Sequence, residues 1–194
     1  MTTPNKISIA RVLIVPFFIA AFLSYGRNGE EFHRFLAILC FAVAAITDGI
    51  DGYIARRYNQ RSELGAILDP LADKLLLVSG IVLLSLDNAP HFERLPLWLG
   101  VTIISRDVLI LLGMVVIHHT CGAVRVRPHF SGKIATVLQM TAVLWALFKW
   151  NANWLWWWCL GAAVFTGVSG VLYVLDGVRQ LNASPHSAAT GRTE

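Results

Sequence analysis

At 194 residues the chain is the size of one domain, yet 56% of it is hydrophobic and 14% charged, with a mean hydropathy of +0.59. That excludes an ordinary soluble domain. The formal charge of +4 and pI near 9.2 do not indicate a nucleic-acid partner, because the Lys and Arg residues are scattered among the ends of apolar runs, where membrane topology accounts for them.

Apolar runs approaching the roughly 20 residues that a bilayer requires predict an all-α integral membrane protein with six transmembrane helices and no strands. The helices are expected at 8–24, 35–56, 70–86, 96–117, 133–149 and 154–175. The first runs through Ser24-Tyr25-Gly26 into a charged loop with no small-residue cleavage site, which predicts a retained helix rather than a signal peptide. Six spans place both termini on one side, with loops around 57–69 and 118–132. Lys6, Arg11, Arg56, Arg57, Arg61, Lys74, Arg125, Arg127, Lys133, Arg179 and Arg192 fall on that side, against Arg27, Arg34, Arg94 and Lys149 on the other. This bias predicts that the termini and the 57–69 loop face the cytoplasm. Trp154, Trp156, Trp157 and Trp158 read as an interfacial belt at the outer end of the last helix. One membrane domain over 1–181 is expected, followed by a polar, disordered tail over 182–194. Cys40, Cys121 and Cys159 lie in no metal or redox spacing, and at least two of them are expected to pack as apolar groups.

Asp48 and Asp51 are three apart on the second helix, and Asp69 and Asp73 four apart at the start of the third, so each pair lies on one helix face. An ionised side chain inside a span costs about 2.5–3.5 kcal/mol on insertion scales, and these four together require a cationic partner. Across a short loop the two acidic faces meet near the cytoplasmic interface, making an all-oxygen site suited to two Mg²⁺ or Mn²⁺ ions. The competing reading pairs them with Arg56, Arg57, Arg61 and Lys74. Gly52, Ala55 and Gly65 keep the adjacent walls low, and Arg56 is placed to hold a phosphate oxygen pair. The implied chemistry is phosphoryl or phosphodiester transfer.

The run Asp48-x2-Asp51-Gly52-x2-Ala55-Arg56-x8-Gly65-x3-Asp69-x3-Asp73 resembles the complete signature of the CDP-alcohol phosphatidyltransferase family. Pro4-Asn5, Arg11 and Pro16 are similar to the start of its glycerolipid members. The resemblance implies a six-helix fold in which an acceptor alcohol attacks the lipid-linked phosphorus of a CDP-linked lipid and CMP leaves. It further implies that Asp48, Asp51, Asp69 and Asp73 hold two divalent ions and that Asp73 is the general base. Gly52, Ala55, Arg56 and Gly65 would then line the CDP site, and the protein would be a homodimer in a bacterial cell membrane. Ile104-Ser105-Arg106-Asp107-Val108 and Lys133-x2-Thr136-x2-Gln139 resemble the branch making phosphatidylglycerol phosphate or cardiolipin, and Arg106-Asp107 followed by Arg125-Val126-Arg127-Pro128 looks more like the cardiolipin synthases of this fold. The donor would be CDP-diacylglycerol and the acceptor glycerol 3-phosphate or phosphatidylglycerol. Arg106, an intramembrane charge, with Arg125, Arg127 and Lys133, would bind the acceptor's phosphate; Asp107, next on the helix, is expected to point away from Arg106. His118, His119 and His129 are expected to be interfacial. The alternatives are the same chemistry on an inositol-type acceptor, or a divalent-cation transporter.

Overall fold

A computed structural model describes the backbone of residues 3–58, 63–86, 91–121 and 130–182, and the side chains of 9–47, 72–86, 91–116 and 130–179. These residues form six helices in chain order: α1 (Thr3–Asn28), α2 (Glu31–Tyr58), α3 (Glu63–Ser85), α4 (Leu97–Cys121), α5 (Phe130–Leu147) and α6 (Ala152–Asn182). No strand occurs among the described residues. In α1, α4, α5 and α6 a stretch is long and apolar enough to cross a membrane: Ile9–Asn28, Leu97–Val116, Phe130–Leu147 and Ala152–Arg179. A helix satisfies its own backbone hydrogen bonds, which is why apolar runs of this length settle as helices in lipid.

The apolar pattern locates every helix but understates its length. The largest correction is at α3, which begins at Glu63 and not at Pro70, so that Gly65 and Asp69 belong to the helix rather than to a loop. Pro70, whose missing N–H would be harmless in a first turn, stands inside α3, unable to donate to the Ala66 carbonyl.

α1 packs on α2 and α3, while α6 packs on α5 and α4; α2 and α3 also meet α5, and α3 meets α4. The core between α1 and its partners is aromatic. Phe18 lies against Phe41 with ring centroids 5.6 Å apart, Phe22 stacks on Phe92 at 4.7 Å, and Phe92 meets Tyr25 edge-on at 4.8 Å. Between α5 and α6 the buried Gln139 donates from Nε2 to Thr166 Oγ1 at 2.8 Å. A buried amide bonded in this way ties two helices that have no hydrophobic drive to pair in lipid. Cys40 is half-buried and Cys159 buried, both as free thiols in apolar packing. Trp154, Trp156 and Trp157 point outward from the first turns of α6.

The ends of the helices sort into two groups. Lys149, which follows α5 in a left-handed conformation (φ 56°), donates from Nζ to Tyr25 Oη near the end of α1 at 2.9 Å. Tyr25 Oη in turn donates to Glu31 Oε1 at 3.3 Å, and His91 meets the Tyr25 ring edge-on at 5.4 Å. One end of the bundle therefore gathers the α1–α2 junction, the segment before α4 and the α5–α6 junction. The start of α1, the end of α2, the start of α3 and the end of α6 belong to the opposite end.

Candidate active site

Asp48 and Asp51 lie on α2 with Gly52, Ala55 and Arg56; Asp69 and Asp73 lie on α3 with Gly65. The side chains of residues 48–71 are outside the described ones, so for all but Asp73 the structure specifies the helical backbone. That backbone is continuous through both acidic pairs. Spacings of three and four thus keep each pair on one helix face, and α2 and α3, separated by residues 59–62 alone, pack together. Four carboxylate residues thus stand on two adjoining helices; residues of this type offer oxygen donors only, the chemistry that suits hard divalent cations such as Mg²⁺ or Mn²⁺. Asp73 is partly buried and engaged by neighbouring groups.

Arg11 joins this end of the bundle from α1. Its side chain is fully buried, at 1% exposure, on the face that carries Val15, Phe18 and Phe22. Extending the Phe18–Phe41 register along the α1–α2 pair brings Arg11 to the level of residue 48. In the sequence Arg11 is a topological charge and part of the lead-in that resembles the glycerolipid members; its burial is a structural finding.

The second part of the site is built on α3, α4 and α6. Lys74, one residue after Asp73, donates from Nζ to both oxygens of Asp107 on α4, at 2.7 and 2.6 Å. The reading that pairs Lys74 with the motif aspartates is thus replaced, among the described residues, by a pair with Asp107. Arg106 Nη1 donates to Asp107 Oδ1 at 2.8 Å, and Nη2 to Ser169 Oγ of α6 at 2.9 Å. The expectation that Asp107 points away from Arg106 fails because the forked guanidinium on a long side chain reaches Asp107 with one nitrogen and Ser169 with the other. Its guanidinium carbon also lies 5.4 Å from the Tyr173 ring centroid, within cation–π range.

Glycines make room for this arrangement. A Cβ on Gly132 would stand 3.1 Å from Arg106 Nη2 and 3.2 Å from Ser169 Oγ, and one on Gly170 would stand 3.3 Å from Arg106 Cγ. Lys133 is exposed in the first turn of α5, where Thr136 bonds back to the Gly132 carbonyl at 3.1 Å. Arg125, Arg127 and His129, together with the side chains of His118, His119 and Cys121, lie outside the described residues, as does the tail from 183 onward.

Comparison with known proteins accords with this geometry. The chain is 33% identical over 181 residues to the CDP-diacylglycerol–glycerol-3-phosphate 3-phosphatidyltransferase of Shigella flexneri serotype 5b (strain 8401), covering 93% of each chain. It matches the protein of the same name from Escherichia coli (strain K12) to the same identity and coverage. The family model described as CDP-alcohol phosphatidyltransferase matches residues 1–169, which take in α1 to α5 and most of α6. With the acidic pairs on adjoining helices inside that match, the chain belongs to the CDP-alcohol phosphatidyltransferase family.

Proposed function

We propose that this protein transfers the phosphatidyl group of CDP-diacylglycerol to glycerol 3-phosphate, giving phosphatidylglycerol phosphate and CMP. The observation that carries this reading is likeness over 93% of the chain to relatives named for that reaction. The acceptor hydroxyl oxygen attacks the lipid-linked phosphorus, the bond from that phosphorus to the bridging oxygen breaks, and CMP departs with the oxygen. Asp73 takes the hydroxyl proton, strengthening a weak oxygen nucleophile as the new bond forms.

Asp48, Asp51, Asp69 and Asp73 would hold two divalent ions, Mg²⁺ or Mn²⁺, on α2 and α3. Such ions neutralise the diphosphate and the leaving group. Gly52, Ala55 and Gly65 leave room for the nucleotide, and Arg56 supplies paired N–H donors to a phosphate. Arg106, Lys133 and the basic residues Arg125 and Arg127 receive the acceptor's phosphate; the fixed guanidinium of Arg106 supports this assignment. All six helices span the bilayer, with the termini and the active site on the cytoplasmic side.

The test is CMP release by the purified protein with Mg²⁺ or Mn²⁺, CDP-diacylglycerol and each acceptor separately. Turnover with glycerol 3-phosphate and phosphatidylglycerol phosphate as the lipid product is expected. Turnover with phosphatidylglycerol alone would reassign the acceptor, and turnover with an inositol-type acceptor alone would do the same. Metal uptake into proteoliposomes with no CMP chemistry would replace the enzyme by a transporter.

A further inference from the structure

Where α3, α4 and α6 meet, one carboxylate serves two cations. Asp107 is 17% exposed and Arg106 15%, whereas Lys74 at 36% is the accessible member of the trio. One negative charge against two positive leaves the trio at net +1 in half-buried surroundings, where unbalanced charge is costly. Were the task only to join α3 to α4, apolar side chains would do so without the desolvation cost. The arrangement makes sense if the cations are needed for an anion that arrives from outside.

The two cations are held very differently. Arg106 is fixed by Ser169, by the Tyr173 ring and by the close backbones at Gly132 and Gly170, and its buried Nε has no hydrogen-bond partner among the described residues. Lys74 ends a flexible four-carbon stem, and its described partner is Asp107 alone. We infer that Asp107 is a positioning residue of the acceptor pocket: it holds Lys74 beside Arg106 so that both face one phosphate, next to Asp73. This rests on the function proposed above. Asp107 itself touches no substrate; it acts through the ammonium and the guanidinium.

The experiment compares the full-length wild type, Asp107→Asn and Asp107→Glu, purified in micelles, with each substrate varied at saturating levels of the other. Asp107→Asn keeps the size and removes the charge. It is expected to raise the KM for glycerol 3-phosphate by about tenfold, the scale of one lost charge-assisted contact, while the KM for CDP-diacylglycerol stays within about twofold. Glycerol 3-phosphate binding measured by calorimetry should weaken by the same factor, and Asp107→Glu should recover most of the loss. An unmoved acceptor KM, or both KM values rising together, overturns the inference and leaves Asp107 as helix packing. Should Asp107→Asn not fold, Lys74→Met leaves Asp107 paired with Arg106 and is read in the same way: a rise in the acceptor KM alone supports the inference, and none overturns it. A wild type that releases no CMP with glycerol 3-phosphate overturns the proposed function and this inference with it; a working wild type with an unmoved Asp107→Asn overturns the inference alone.

Discussion

Asp73 stands one residue before Lys74, so the proposed base and the proposed acceptor-binding cation share a turn of α3. Replacing Asp73 by Asn keeps the shape of the side chain and removes its basicity. Turnover should fall by about a hundred- to ten-thousandfold, the usual worth of a positioned base, while calorimetry shows CDP binding largely retained. Asp48→Asn should weaken Mn²⁺ binding as well, seen as a higher Kd by electron paramagnetic resonance; equal, mild effects of the two would refute the division of roles. The aspartates and Arg106 were legible because a charge within an apolar run stands out against its neighbours. Asp107, Ser169, Tyr173, Gly132 and Gly170 were not. Their meaning comes from pairings 33 and 63 residues apart in the chain, and these depend on how each helix is rotated about its axis. A helix apolar all round does not declare that rotation in its sequence.

Packing at the scale of the helices turns on small residues that let backbones approach. A Cβ on Gly80 of α3 would meet Val143 Cγ1 of α5 at 3.1 Å and Phe41 Cε2 of α2 at 3.3 Å, whereas among the described residues nothing lies within 4 Å of the same position on Gly113 of α4. Gly80→Leu should therefore overpack the junction and cost about 1–3 kcal/mol, read as a lower apparent Tm in detergent. Gly113→Ala should hold or raise the Tm, since an unobstructed helix position favours Ala by about 1 kcal/mol; a Tm lowered equally by both would contradict this packing. Gly29 carries a different constraint. It ends α1 at φ 67°, its N–H bonded to the Tyr25 carbonyl at 2.8 Å, and an added Cβ would fall 2.8 Å from His91 Cε1. Gly29→Ala combines left-handed strain of about 1–2 kcal/mol with that clash, and should lower the Tm. The presence of all six helices was legible from their apolar runs, but their ends were less so. Hydropathy marks the length that suits lipid, while the helices continue through polar residues: α1 back to Thr3, α3 back to Glu63 and α6 on to Asn182.

Across the whole molecule the two groups of helix ends differ in charge. The end that gathers Tyr25, Glu31, His91 and Lys149 is the one to which the sequence assigns few Lys and Arg residues, and its Lys149 is already engaged with Tyr25. The opposite end carries the acidic motif, and the basic residues on either side of it exceed what the four aspartates alone would neutralise. Lys and Arg near span ends are retained on the cytoplasmic side, and the orientation proposed above rests on this charge asymmetry together with the sorting of the helix ends. That orientation also suits the chemistry, because the free phosphate ester reaches a membrane enzyme from the aqueous phase and CMP is released into it, while the lipid-linked donor stays in the bilayer. In a background with Cys40, Cys121 and Cys159 replaced by Ala, Asn151→Cys should react with a membrane-impermeant maleimide added to intact cells. Ser184→Cys should react only after the cells are opened. Labelling of both positions from the same side would mean that α6 does not cross the bilayer. Labelling of Ser184→Cys alone in intact cells would place the acidic motif on the outer face, away from the nucleotide pool, and would remove the physical basis for the proposed reaction.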